Sequence, residues 1–134
     1  MVKEKIIIES GKRKRAIAKA VLRSGSGNVT INGMNLEVFS PKISRERIKE
    51  ALILAGSVAS KVNISVRTTG GGISGQADAA RLAIAKAMSE FDTSLKDVYL
   101  EYDRQLLVAD VRRKEVSKPN SQGKARSKRQ KSYR

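Results

Sequence analysis

Hydrophobic and polar positions along the chain alternate in short stretches, and each stretch has a readable period. The clearest is Lys61 to Thr69, where Val62, Ile64, Val66 and Thr68 alternate with Asn63, Ser65, Arg67 and Thr69. Successive side chains of a strand point to opposite faces, so this pattern predicts a strand with one buried side. A different period runs through Ile48, Ala51, Leu52 and Ala55, spaced i, i+3, i+4 and i+7. That spacing predicts a helix with one apolar face. Ser40-Pro41 or Ser44 is placed to start it, and Gly56 to end it. From about Gln76 to Phe91 a second helix is predicted, with Ala80, Ile84, Ala87 and Phe91 on its apolar side. Its many alanines allow close packing on a sheet, and Asp78, Arg81, Lys86 and Ser89 take the wetter side. A third helix is expected from Thr93 or Ser94, with Leu95, Val98, Tyr99 and Tyr102 on one stripe.

The N-terminal part reads as strands. Ile6-Ile7-Ile8 predicts a short one, which Gly11 is expected to break. Ala16 to Arg23 predicts a second. Ser24 to Asn28 is a turn by composition, and Val29-Thr30-Ile31 is a third strand closed by Asn32-Gly33, a strong hairpin signal. Leu106 to Ala109 is a last short apolar segment, and no internal repeat is visible. Helices and hairpins sharing one sheet predict an α+β domain rather than a doubly wound one.

Composition adds a lean core and a charge problem. The 134 residues fit one domain, and with 40% hydrophobic but only 4% aromatic residues the packing falls to Val, Ile, Leu and Ala. The net charge is +15. Residues 112–134 contain ten Lys or Arg and one acid, Glu115, whereas residues 1–111 contain 18 basic and 12 acidic residues. The basic stretch lacks Leu, Ile and Phe, so it cannot bury enough apolar surface to offset its own ordering. This divides the chain into a core, 1–111, and an extension, 112–134, expected to order only against a partner.

So much positive charge calls for a polyanion. No apolar run approaches the roughly 18 residues of a transmembrane helix, and Met1 to Ser10 lacks a signal-peptide layout. Nucleic acid is therefore the expected partner, not a membrane. Cysteine and histidine are both absent, which excludes disulfides, thiol catalysis, Cys/His zinc sites and His-based proton transfer. Asp78, Glu90, Asp92, Asp97, Glu101, Asp103 and Asp110 are scattered, with no converging pair expected. No catalytic residue, metal, cofactor or small-molecule substrate is assigned.

Gly70, Gly72 and Gly75 spell G-x-G-x-x-G between a strand and a helix. A dinucleotide site is rejected, because too little chain remains for further parallel strands and Asp92 and Asp97 do not follow a strand. Two compatible readings remain for Gly70, Gly71, Gly72, Ser74 and Gly75. One is a tight turn with positive φ. The other is a set of backbone N–H groups at a helix start, holding an RNA phosphate.

Two basic clusters complete the candidate site. In an extended chain Lys12 and Lys14 would face one way, and Arg13 and Arg15 the other. Charge on both sides suits a segment lying in an RNA groove, although a charged entry to an edge strand also discourages aggregation. In the extension, Arg112, Arg113, Lys114, Lys118, Lys124, Arg126, Lys128 and Arg129 are interleaved with small residues that let a backbone thread close to RNA. Stacking aromatics are scarce, which favours backbone and shape recognition of folded RNA driven by counterion release. No DNA-reading motif is present.

Gly11-Lys12-Arg13-Lys14, Val29 to Gly33, Val66 to Gln76 with its Gly70-Gly71-Gly72-Ile73-Ser74-Gly75 run, Asp110-Val111-Arg112 and the terminal Lys131-Ser132-Tyr133-Arg134 follow one another in order. Together they resemble the S-nine family of small-subunit ribosomal proteins, over nearly the whole chain. The ending and the strand before Gly11 resemble its archaeal and eukaryotic branch. The resemblance implies an α+β fold like the second domain of ribosomal protein S-five. It implies a structural, non-enzymatic place in the head of the cytoplasmic small subunit, against ribosomal RNA and neighbouring head proteins. It also implies that the extension reaches peptidyl-site tRNA, with Lys131, Ser132 and Arg134 at the tRNA. Tyr133 stands where bacterial members carry lysine, and Ser117 to Asn120 holds fewer charges than the family often does.

Overall fold

A computed structural model describes residues 5–120 and 125–126. The alternating segments form five strands, β1 (Ile7–Arg13), β2 (Ala16–Ser24), β3 (Val29–Ile31), β4 (Met34–Asn35) and β5 (Val62–Thr69). The helical segments form α1 (Lys42–Ala55), α2 (Ile73–Phe91) and α3 (Ser94–Tyr102). The strands make one mixed sheet in the order β1-β2-β5-β3-β4, in which only β3 and β5 run parallel. A parallel pair needs a crossover, and α1 lies in it. This is the expected α+β class.

One face of the sheet is covered. Ala16, Ala18, Ala20 and Leu22 of β2, and Val62, Ile64 and Val66 of β5, are buried against α2, which lies on β1, β2 and β5 with α1 packed beside it. The alternation predicted for β5 is reproduced residue for residue. The apolar side of α2 is wider than one stripe: Ala77, Ala79, Ala80, Met88 and the run Leu82–Ala85 are all buried. The helix has the sheet on one side and α1 and α3 on others, so small side chains are needed nearly all round.

Several boundaries differ from the sequence reading. Gly11 does not break β1 but sits inside it, because a Cβ there would lie 2.3 Å from the Ala79 carbonyl oxygen and 2.8 Å from the Ala83 nitrogen. Glycine serves here as a close approach between strand and helix. Helix α2 begins at Ile73, earlier than Gln76, so Ser74 and Gly75 belong to its first turn. Pro41, not Ser40, is the N-cap of α1, and Ser44 is buried within the helix. In α3 only Leu95 and Tyr99 are buried, while Val98 and Tyr102 are exposed. The Tyr99 hydroxyl donates to the Ala51 carbonyl at 2.7 Å, and burial pushes its phenol pKa up. Thr93 is the N-cap of α3, one of the two residues expected there, but its side chain makes no cap bond, and the neighbouring Asp92 supplies the acceptor oxygen. Its carboxylate accepts from the Ser94 hydroxyl at 2.7 Å and the Ser94 N–H at 3.1 Å, and these bonds hold it below the usual carboxylate range.

Candidate nucleic-acid interface

The cluster at 12–15 is the tip of the β1–β2 hairpin. Arg13 pairs with Ala16 in the ladder, so Lys14 and Arg15 form the two-residue turn, with Lys14 at φ 54°. The expected alternation holds for Lys12 and Arg13 and then gives way to the turn. Lys12 points to the open side of the sheet and is exposed, whereas Arg13 turns toward the helices. Lys12, Lys14 and Arg15 are exposed, and none of them makes a side-chain bond or ion pair among the described residues.

The glycine loop lies on this tip. Gly70 and Gly71 have φ of 73° and 63°, a region that favours glycine, as one of the two readings expected. A Cβ on Gly70 would lie 2.7 Å from the Arg15 carbonyl oxygen, and one on Gly71 2.8 Å from the Ala16 nitrogen. Glycine is therefore required twice over, by φ and by the backbone of the hairpin beneath. The Gln76 side chain donates to the Gly70 carbonyl at 3.0 Å and steadies the loop. Gly72 is the N-cap of α2 and offers no side-chain acceptor. The first intrahelical bond runs from the Gln76 N–H to the Gly72 carbonyl, so the N–H groups of Ile73, Ser74 and Gly75 have no partner within the helix.

The start of the extension closes the site. An open groove of about 1470 Å³ is lined by Lys14, Arg15, Gly72, Ser74, Arg113 and Lys114, among others. The hairpin tip, the glycine loop and the first residues of the extension thus share one groove.

Carboxylates hold it in place, contrary to the expectation that none converge. Asp78 of α2 and Asp110 both meet Arg13: its Nε lies 3.7 Å from Asp78, and its guanidinium pairs with the Asp110 carboxylate. Arg47 of α1 reaches Asp78 at 2.7 Å. Asp110 also accepts from the Arg112 N–H at 2.9 Å and from its guanidinium at 2.7 Å, and the Asp110 side chain is only 7% exposed. Arg13 is consequently a tie between hairpin, helix and extension. Beside it Arg81 bonds Glu50 at 2.7 Å and Asp103 at 3.3 Å. Farther along, Glu115 collects Lys118 and Arg126, whose bonds hold its carboxyl below the usual range. Asp110 and Asp78 were missed from sequence because nothing local announces a partner thirty or more residues away; only the Asp110-Val111-Arg112 run marked one of them. Lys124, Lys128, Arg129, Lys131, Ser132 and Arg134 lie outside the described residues. Among the described residues no helix is long and apolar enough to cross a membrane.

The model of the family described as "Ribosomal protein S9/S16" matches residues 11–134. The chain belongs to that family. Within it, the chain is 46% identical over 132 residues to the "Small ribosomal subunit protein uS9" of Methanothrix thermoacetophila, covering 97% of this chain and 99% of that one. It is equally 46% identical over 130 residues to the protein of the same name from Thermoplasma acidophilum, covering 96% and 100%. Both sources are archaeal, in keeping with the branch that the terminal Lys-Ser-Tyr-Arg resembled. The match to this ribosomal protein family begins at Gly11, the residue that lets β1 lie on α2, and runs through the basic hairpin tip, the glycine loop and the whole extension.

Proposed function

We propose that this ribosomal protein is a structural constituent of the small subunit, bound to the phosphates of its RNA and performing no catalysis. The observation that carries this reading is the meeting, in one groove, of three things. These are an unpaired basic hairpin tip, a helix start with N–H groups free of intrahelical partners, and the first residues of a strongly basic extension. Phosphate oxygens complement all three: cations by charge, helix N–H groups by hydrogen bonds and the helix dipole. Lys12, Lys14 and Arg15, with the loop from Gly70 through Ser74 and Gly75, are the core's contacts. Arg13 contributes by placing the tip.

The core, 1–111, carries the address, and the extension, 112–134, adds affinity by displacing counterions as it orders on RNA. Its last residues, Lys131, Ser132 and Arg134, reach tRNA in the peptidyl site. The resemblance carried by the sequence motifs supports the tRNA contact, and the relatives named as small-subunit proteins support the place in the subunit.

Retention on purified small subunits as salt rises tests it, comparing the full chain with one ending at Val111. One saturable site for both, with the shorter chain more salt-sensitive, is the expected result. Equal binding of any RNA by both, with no saturable site, makes the protein a general nucleic-acid binder instead. Removing Lys131 to Arg134 should leave incorporation intact and weaken peptidyl-site tRNA; unchanged tRNA affinity rejects that contact.

A further inference from the structure

The helices cover one face of the sheet, and the other face carries a charge pattern that runs on beyond the groove. Alternation places Ile8, Ser10 and Lys12 of β1, Ile17, Lys19, Val21 and Arg23 of β2, and Asn63, Ser65, Arg67 and Thr69 of β5 on the open side. The ladder sets Lys19 directly opposite Arg67, with Ser10 opposite Lys19 on the other flank. Side chains opposite each other in a sheet have Cβ atoms roughly 4.5–5.5 Å apart, and like charges there are destabilising. Among the described residues no carboxylate relieves this pair. The strands place no Asp or Glu on the open face; Glu9, the one acid in them, turns to the helix side, where it lies 3.6 Å from Lys86. Lys12, Lys19, Arg23 and Arg67 are all exposed and make no side-chain hydrogen bond or ion pair among the described residues. The helical side, in contrast, is laced with pairs such as Arg81–Glu50 and Lys49–Glu37. The free chain therefore keeps an uncompensated cross-strand repulsion on a face that carries the Ser10, Ser65 and Thr69 hydroxyls beside the exposed Ile8 and Ile17.

We infer that the open face of the sheet is a second phosphate-binding surface, on which the backbone of a folded RNA helix seats with Lys19 and Arg67 at its centre. The inference rests on the proposed RNA-binding function and extends it to the part of this surface, around Lys19 and Arg67, that lies outside the groove. Charge complementarity selects the occupant. A phosphate between Lys19 and Arg67 converts their repulsion into two attractions, and the flanking Ser10, Ser65 and Thr69 hydroxyls can donate to its oxygens. The absence of aromatic side chains on this face favours duplex backbone over stacked single strands. The surface is continuous with the first site, since Lys12 and Ile17 also line the groove.

The test compares the full-length wild type with Lys19→Gln/Arg67→Gln, measuring binding to protein-free small-subunit ribosomal RNA over a series of potassium chloride concentrations, and the melting temperature of the free protein. A control, Lys42→Gln/Lys96→Gln, removes the same charge from the helical side. Removing two phosphate contacts should weaken binding about tenfold and make the slope of log affinity against log salt shallower by roughly two. The free variant should melt no lower than wild type, because a repulsion is gone. If it does melt lower, Lys19→Glu serves instead: it faces Arg67 with a carboxylate and should raise the melting temperature while weakening RNA binding. Unchanged affinity and slope overturn the inference, as does an equal loss in the helical-side control, which would make the effect one of total charge. Unchanged RNA binding with lost retention on assembled subunits would assign the face to a protein neighbour and also overturn it. Should the wild type itself show no saturable site, the proposed function fails first; if it saturates and the variant matches it, only this face is rejected.

Discussion

Replacing Asp110 by Asn separates two roles that charge alone would merge. Asp110 is 7% exposed, and it ties Arg13, 21% exposed, to Arg112, 74% exposed. Asparagine keeps one acceptor oxygen and the shape but removes the charge, and a charge-assisted bond is worth about 1.5–3 kcal/mol against about 0.5–1.5 for a neutral one. The pair with the exposed Arg112 adds little, at most about 1 kcal/mol. Arg13 keeps Asp78 as a partner, so its uncompensated charge is shared rather than orphaned. The net cost should be about 1–2 kcal/mol, or a fall in melting temperature of about 5 °C or more for a core of this size. The effect on RNA is the sharper reading. Removing a carboxylate makes the groove more positive, so counterion release alone predicts equal or tighter binding to any duplex. Loss of the tie lets the extension leave the core in many directions, and RNA must then order it at binding. A loss of about 1 kcal/mol in this preorganisation weakens the specific site about fivefold. The assay is retention on purified small subunits beside binding to an unrelated RNA duplex, with thermal melts of both proteins. Weaker subunit retention with undiminished duplex binding is expected. Unchanged stability, or subunit and duplex affinity rising together, refutes Asp110 as the anchor.

Gly11→Ala should destabilise the fold by about 3 kcal/mol, since its Cβ would press on backbone atoms of Ala79 and Ala83 that no rotamer change can move; urea unfolding that shows less than about 1 kcal/mol would mean the β1–α2 contact is looser than drawn. The Glu90 carboxyl is raised above its usual range, mainly by its hydrogen bond with Glu9 across β1 and α2, with burial and the Glu9 charge adding to the shift. A raised folded-state value gives stability that is present below the unfolded-state value and lost as pH rises through the folded one. Glu90→Gln should therefore gain melting temperature relative to wild type as pH rises from the acid range toward neutrality, and a difference that stays constant with pH would reject a raised Glu90 carboxyl.

The legible part of this protein is whatever has a local period or a local composition. The 2-residue alternation of Lys61 to Thr69 and the helical spacing of Ile48 to Ala55 are properties of single segments, and both elements formed where they were expected. Asn32-Gly33, with φ of 52° and 82°, made the turn its residues favour. The basic bias of residues 112–134 and the ordered motifs from Gly11 to Arg134 needed no fold to be read, and they sufficed to point to the ribosomal family that the comparisons then showed. Gly11 misled for the opposite reason. A glycine in a strand looks like a break, and only the helix packed 2.3 Å from its absent Cβ explains it. The same holds for the candidate site. That Gly70 and Gly71 rest on the backbone of Arg15 and Ala16, that Asp78 and Asp110 meet at Arg13, and that Lys19 stands opposite Arg67 are facts of register and layer packing. They join residues tens of positions apart, and no period within either segment encodes the partner. Local sequence determined which elements exist and that the chain seeks a polyanion; tertiary structure decided which cations are spent inside the protein and which remain for RNA.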